Sequence, residues 1–282
     1  MDQLPAVLVS LGPAGPTLMD ARAPFLRADD VGALRGDGVF ERFLVRAGEP
    51  RHFEDHLARL ARSARQVGLA VPKEASWREA VGTAIAAWQG NDEWEMRLVC
   101  TAGPEEGGQP TAYVLGQQLT EALLRQRVEG VAVVTLSRGM VSGLGAQCPW
   151  LLLGAKTLSY SVNLAARRCA KEQGADDAIF VGTDGLVWEA TTSAVVAAYG
   201  RRLVSPPSAV GILDSVTVSA LLRDAVRAGW GAARENLTVA DLLSADGVWL
   251  SSSLRFAAVN ALDGKTLPAH PAQEELAALA TR

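Results

Sequence analysis

The sequence predicts a mixed chain, α/β or α+β, arranged as two domains. Three observations predict it. Short apolar runs bounded by glycine recur in both halves, and between them apolar residues return at helical spacing. A mostly polar stretch near the middle shows neither period. A chain of 282 residues fits one or two domains at roughly 100–200 residues each. The expected division is a small N-terminal α+β domain over residues 1–118, a linker at 119–127 and a larger domain over 128–282.

The elements follow in order. Residues 6–9 and 39–46 read as strands, with turns at Gly36, Gly38 and Gly48. Leu57, Leu60, Ala61, Ala64 and Val67 recur at helical spacing, and Gly68 ends that run. A second helix is expected over residues 76–88. Strands at 96–101 and 111–116 flank a turn-rich Gly-Pro-Glu-Glu-Gly-Gly segment. Beyond the linker come a strand at 131–136, a glycine-rich loop at 139–146 and an apolar run, Leu151-Leu152-Leu153, read as a buried strand. A helix is expected at 159–173. Strands at 177–181 and 186–190 enclose Thr183-Asp184-Gly185, a hairpin signal. A strand at 195–199, a helix at 215–228 and segments 236–239 and 247–250 complete the pattern. No internal repeat interrupts it.

Composition narrows the function. Net charge is −4 and the pI about 5.5, so no basic surface for nucleic acid is expected. The arginines between Arg59 and Arg65 read first as a solvated helix face. No run approaches the roughly 18 apolar residues of a membrane span. Residues 1–10 lack the basic and apolar regions of a signal peptide. Three widely spaced cysteines, Cys100, Cys148 and Cys169, suit a reducing compartment, and a cytoplasmic protein is expected. His52 and His56 are four apart but read as bordering a helix start, and no metal is expected.

What remains is a set of polar residues at joints between elements. Lys156 follows Leu151-Leu152-Leu153-Gly154-Ala155, an unusual place because a buried ammonium is costly. It either extends its head to solvent or serves as a desolvated amine suited to condensing with a carbonyl. Glu189 ends the run Leu186-Val187-Trp188 and is either solvated or a partner for a buried cation. Residues 211–217 open a helix whose first N–H groups suit a phosphate, or are simply capped by Asp214 or Ser215.

Taken together, Arg35-Gly36-Asp37-Gly38-Val39-Phe40-Glu41, His56-Leu57-Ala58-Arg59-Leu60, Ala155-Lys156-Thr157-Leu158-Ser159-Tyr160, Val187-Trp188-Glu189-Ala190-Thr191-Thr192-Ser193, residues 211–217 and Ser251-Ser252-Ser253 occur in this order and spacing. In this they resemble the fold-type IV pyridoxal-phosphate enzymes, the class IV aminotransferases. The resemblance implies a D-amino acid aminotransferase-like fold with the cofactor between a small and a large domain, in a homodimer. It implies that Lys156 carries pyridoxal 5′-phosphate and moves protons, that Glu189 pairs with the pyridine nitrogen, and that Arg59 binds the phosphate. Val216 and Thr217 would complete the phosphate site, with Ser252 or Ser253 adding a hydroxyl. Phe40 would line the substrate pocket.

Within that family the segments around Arg35, Trp150, Lys156 and Phe180 are most similar to the lyases that convert 4-amino-4-deoxychorismate to 4-aminobenzoate, a folate precursor, and pyruvate. A D-amino acid or branched-chain transaminase shares every cofactor residue and is the alternative; a cofactor-binding protein without turnover is a third. The chain departs from many relatives at Ala194 and Ser215, where they carry Asn and Gly. Ala102 stands where D-amino acid aminotransferases place a carboxylate-binding arginine. Phe40 replaces a frequent tyrosine. Arg42, on the same strand face as Phe40 by alternation, either supplies the missing cation to a substrate carboxylate or is a strand residue turned to solvent.

Overall fold

In the computed structural model, which describes residues 5–281, alternating apolar residues from strands far apart in sequence meet in one antiparallel sheet. Its elements are β1 (Ala6–Gly12), β2 (Gly15–Met19), α1 (Val31–Arg35), β3 (Gly38–Arg46), β4 (Glu49–Pro50), α2 (Phe53–Val67), α3 (Glu74–Ala87), β5 (Glu93–Thr101) and β6 (Thr111–Gln118). The strand order is β2-β1-β6-β5-β3-β4. One sheet face, carrying Val9, Val39, Phe43, Met96, Leu98 and Val114, packs under α2 and α3. Leu57, Leu60 and Ala64 line the inner face of α2; burying a leucine so contributes roughly 1.5–3 kcal/mol. Glu54 and Asp55 stand in the first turn of α2, where the helix dipole favours acids, and Gly68 closes it in the left-handed conformation.

These elements form a first unit, residues 1–120, together with Ala155–Tyr160; the second comprises Glu121–Gly154 and Ser161–Arg282. The second unit begins with α4 (Glu121–Glu129) and β7 (Val131–Ser137), then α5 (Ser161–Glu172), β8 (Asp177–Val181), β9 (Val187–Ala190), β10 (Ala194–Tyr199) and β11 (Arg202–Ser205). It continues through α6 (Val216–Arg227), β12 (Gly231–Arg234), α7 (Val239–Ser244), β13 (Gly247–Ser252), β14 (Arg255–Leu262), β15 (Lys265–Thr266) and α8 (Gln273–Ala280). Its mixed sheet runs β12-β11-β10-β13-β14-β7-β8-β9, with β15 beside β14. Val195, Ala197, Val248 and Leu250 face one apolar cluster. Val196, Trp249 and Phe256 face another, under α6 and α8. Strands apolar on both faces are what a sheet covered on both sides requires.

Three expectations need correcting. The linker is largely helix, because Glu121–Glu129 is built almost wholly of strong helix formers. The three leucines before Lys156 form no strand: Pro149–Leu151 is a single 3₁₀ turn, and Leu152 and Gly154 take positive φ. Residues 155–160 pack with the N-terminal unit, although they lie within the span 128–282 expected to form the larger domain. Among the described residues no helix is long and apolar enough to cross a membrane, and no cluster of His, Cys, Asp and Glu could hold a metal ion. The three cysteines are free.

Candidate active site

Strand alternation would reserve the inner face of β3 for apolar residues, and Val39, Phe43 and Val45 obey it. Glu41 shares that face and is wholly buried. Two residues of α2 meet it. Arg59 grips the carboxylate as a fork, Nε donating to Oε1 and Nη2 to Oε2, both at 2.7 Å. His56 Nδ1 lies 2.7 Å from Oε2. Burial alone would raise the Glu41 pKa, but the Arg59 charge, its hydrogen bonds and His56 outweigh burial and hold it at about 2. Ionised Glu41 is acceptor-only, so Nδ1 carries the proton that His56 donates. Burial pushes the His56 pKa down against the opposing pull of Glu41, with the Arg59 and Lys156 charges adding to the depression, so the ring stays neutral below its ordinary range.

A depressed carboxylate pKa stabilises the fold most above the unfolded value of 4.5, and the contribution is lost as pH falls toward about 2. We expect the stability gap between wild type and Glu41→Gln, followed by urea unfolding, to narrow steadily on acidification through that window. A gap independent of pH would show that Glu41 is not held ionised.

The segment carrying Lys156 lies along the open side of β3. Thr157 forms an antiparallel bridge with Val39. The Phe40 N–H donates to the Lys156 carbonyl at 3.1 Å, and the Leu158 N–H donates to the Gly38 carbonyl at 2.9 Å. From the helix side, the Lys156 N–H donates to Ser63 Oγ on α2 at 3.0 Å. The approach is close enough to demand glycine. A Cβ on Gly38 would lie 2.6 Å from the Cys100 carbonyl oxygen and 2.7 Å from Leu158 Cδ1. Gly36 has φ +71° and would meet Ser159. Lys156 Nζ sits 4.5 Å from the Phe40 ring centroid, and Phe40 packs edge-on against Tyr160.

Arg42 shares the outer face of β3 with Phe40, as alternation requires, but it reaches for Glu95 on β5, with Nε donating at 2.9 Å. Arg97, directly opposite Arg42 in register, donates to the other oxygen of Glu95 at 2.7 Å. Like charges facing across strands repel; Glu95 sits between the two and leaves the trio with one net positive charge. The Arg42 guanidinium is therefore engaged within the protein rather than standing alone, and Arg97 is an equal member.

In the second unit, α6 starts at a Ser215 cap whose Oγ accepts from the Val218 N–H at 3.2 Å. Val216 and Thr217 occupy the first two helical positions, whose N–H groups have no intrahelical acceptor. The Thr217 hydroxyl lies 3.3 Å from Ser253 Oγ. Ser252 turns to its own loop, accepting from the Arg255 N–H at 3.3 Å. Of the two serines, Ser253 is thus the one beside the helix start. Glu189 lies half-buried on β9 between buried Trp188 and Ala190. The turn after it is fixed from beneath: Arg255 Nη2 donates to buried Asp177 at 2.5 Å, and Asp177 also accepts from the Thr191 hydroxyl.

Sequence reasoning passed over Glu41 and His56 as a pair, and over Ser63, Glu95, Arg97 and the Arg255–Asp177 bridge. Glu41 did leave a signal. It is a carboxylate at core-facing parity in an apolar strand, matched by His56 and Arg59 three apart on the helix that follows.

A family model described as Amino-transferase class IV matches residues 38–261. A Mycobacterium tuberculosis (strain ATCC 25618 / H37Rv) protein described as a bifunctional aminodeoxychorismate lyase / D-amino acid transaminase is 43% identical, over 91% of this chain and 92% of its own length. Among solved structures, a hypothetical aminotransferase from Mycobacterium tuberculosis in a PLP-bound form superposes with a TM-score of 0.93 at 41% identity, covering 98% of this chain and 97% of the other. A fold IV-transaminase from Curtobacterium pusillum gives a TM-score of 0.93 at 37% identity, covering 98% and 99%.

Proposed function

This chain belongs to the amino-transferase class IV family and is a pyridoxal-phosphate enzyme, and from that premise we propose that it is an aminodeoxychorismate lyase forming 4-aminobenzoate and pyruvate. The residues present fit the cofactor in chemical kind. The first unit offers an amine at Lys156 and a guanidinium at Arg59. The second offers the start of α6, the Thr217 and Ser253 hydroxyls and the Glu189 carboxylate. Arg59, the Val216 and Thr217 amides and the hydroxyls would hold the phosphate, and Glu189 would keep a proton on the ring nitrogen.

When bound, pyridoxal phosphate supplies a carbonyl that joins an amine and a ring that withdraws electrons from the neighbouring carbon. With the cofactor in place, the Lys156 Nζ would take the proton from the amine-bearing ring carbon and return a proton to the departing enolpyruvyl group. The ring C–O bond breaks, that group leaves as pyruvate, and the ring left behind is aromatic, which makes the elimination strongly downhill.

The observation that carries the reading is the row of neighbours on one face of the first unit's sheet. Lys156 lies over Phe40, Phe40 against Tyr160, and beyond them Arg42 and Arg97 share Glu95. That net positive charge, set in the middle of the β3–β5 pair, suits a substrate with two carboxylates, in a chain where Ala102 beyond the strand end supplies no cation. The second reading, D-amino acid transamination, is supported by the 43% identical relative, which is described as bifunctional, lyase and D-amino acid transaminase together; a branched-chain transaminase would share the same cofactor residues. The reading carries with it a homodimer, a cytoplasmic setting and a role in folate precursor synthesis, on the strength of the family resemblance. Pyruvate and 4-aminobenzoate released together from aminodeoxychorismate, assayed beside a panel of D-amino and branched-chain amino acids, test it. Turnover confined to the amino acid panel would overturn the lyase reading.

Two substitutions follow. Arg42→Ala removes the net charge of the trio and is expected to raise the KM for aminodeoxychorismate about tenfold, leaving the cofactor spectrum intact. An unaltered KM would mean that the cluster only braces the sheet. Glu189→Gln is expected to keep cofactor bound yet lower kcat on the order of 10²–10³-fold, the scale of one lost electrostatic stabiliser. Wild-type kcat in that variant would reduce Glu189 to an ordinary strand residue.

A further inference from the structure

Helix α2 presents His56, Arg59 and Ser63 on one face, the inner face toward β3. Two of these hold Glu41. The third, 98% buried, takes the backbone N–H of Lys156 itself. We propose that Ser63 is a positioning residue for the reactive amine: its hydroxyl fixes the Lys156 peptide against α2, so that the helix holding Arg59 also sets where the lysine side chain departs. The inference rests on the proposed role of Lys156 as the cofactor-bearing residue.

The geometry is specific. The Lys156 peptide is tied on both sides. Its carbonyl accepts from Phe40 on β3 and its N–H donates to Ser63 on α2. The flanking bridge at Thr157 and the Leu158 bond to Gly38 secure the segment C-terminal to the lysine. On the N-terminal side the chain arrives through Leu152 and Gly154, both with positive φ. The bond to Ser63 is made by the lysine's own amide N–H, adjacent to the Cα from which the side chain departs. A long side chain amplifies a small rotation of the amide plane into a large displacement of Nζ, and reacting atoms tolerate only a fraction of an ångström. A serine in the middle of a helix more often turns its hydroxyl back to its own backbone; here it accepts from a segment 93 residues away.

The test compares Ser63→Ala and Ser63→Thr in the full chain. Sodium borohydride reduction of the wild-type holoenzyme followed by peptide mapping first locates the cofactor-bearing lysine. A label away from Lys156 defeats the functional reading, and with it this inference. With the label on Lys156, Ser63→Ala is expected to slow formation of the lysine–cofactor absorbance from apoprotein about tenfold and to shift its pH midpoint. In the apoprotein, amide hydrogen exchange of the Lys156 peptide should accelerate, and Ser63→Thr, which keeps the hydroxyl, should restore all three. A Ser63→Ala protein that loses thermal stability alone, with unchanged rate, pH midpoint and exchange, overturns the proposal and leaves Ser63 a packing residue.

Discussion

Replacing Lys156 with alanine is expected to abolish both turnover and the visible absorbance of the lysine-bound cofactor. The chain has four lysines. Lys73, Lys171 and Lys265 are exposed, at the start of α3, in the last turn of α5 and in β15. Lys156 alone is half-buried, with its ammonium over the face of Phe40. An unprotonated amine is the form that attacks a carbonyl, and Lys156 is the lysine held against the sheet at the segment the family resemblance marks. No neighbouring lysine is placed to substitute. On the proposed reading Lys156 both carries the cofactor and moves the proton, so its removal should leave no measurable residual turnover. Purified wild type should be yellow and the variant colourless after desalting. A variant that keeps a borohydride-reducible bond to cofactor would assign the chemistry to another lysine.

The second large effect is expected at Arg59, where one substitution strikes two properties. In Arg59→Ala the buried Glu41 loses its fork partner and keeps the neutral His56. Breaking a buried ion pair from one side costs about 3–5 kcal/mol, because a charge is left in the interior without compensation. With the Arg59 charge gone, burial becomes the dominant influence and pushes the Glu41 pKa up, so the variant should take up a proton on folding at mildly acidic pH. Cofactor affinity should fall about tenfold or more, the scale of a lost hydrogen bond to an ion. Arg59→Lys separates the two: it keeps a charge near Glu41 but not the planar fork. It should recover part of the stability and little of the affinity. Full-strength cofactor binding by apo Arg59→Ala would confine Arg59 to holding Glu41.

Much of this arrangement was legible in the sequence, and the failures have physical causes. Helix α2 was readable because Leu57, Leu60 and Ala64 mark one face and Gly68 ends it. Within the Arg59 to Arg65 run, however, the same spacing that exposes Arg62 and Arg65 turns Arg59 inward, so one arginine of a seemingly solvated face is buried. Helix α4 escaped notice because it has no apolar side to detect: Val128 and Leu124 are exposed and none of its residues is buried. Its helicity comes from residue propensity, which periodicity does not register. Strand β14 was missed because it is buried on both faces over much of its length, so it shows no alternation. Three leucines in a row are too short to tell a strand from a turn. The Arg42–Glu95–Arg97 trio was invisible because its partners lie 53 residues apart and meet only when β3 and β5 pair.

The return of residues 155–160 to the N-terminal unit bears on how such a chain is inherited. Its two structural units are not two contiguous blocks of gene. A recombination event near codon 120 would look like a clean exchange of halves, yet it would join the glycine seat at Gly36 and Gly38, and Ser63 with it, to a lysine segment from a different parent. The seat tolerates no Cβ at Gly38 and depends on hydrogen bonds from both sides of Lys156. Chimaeras crossed over at that boundary would therefore be functional only when both parents carry matching seats. The viable crossovers are those that transplant residues 155–160 along with the first 120.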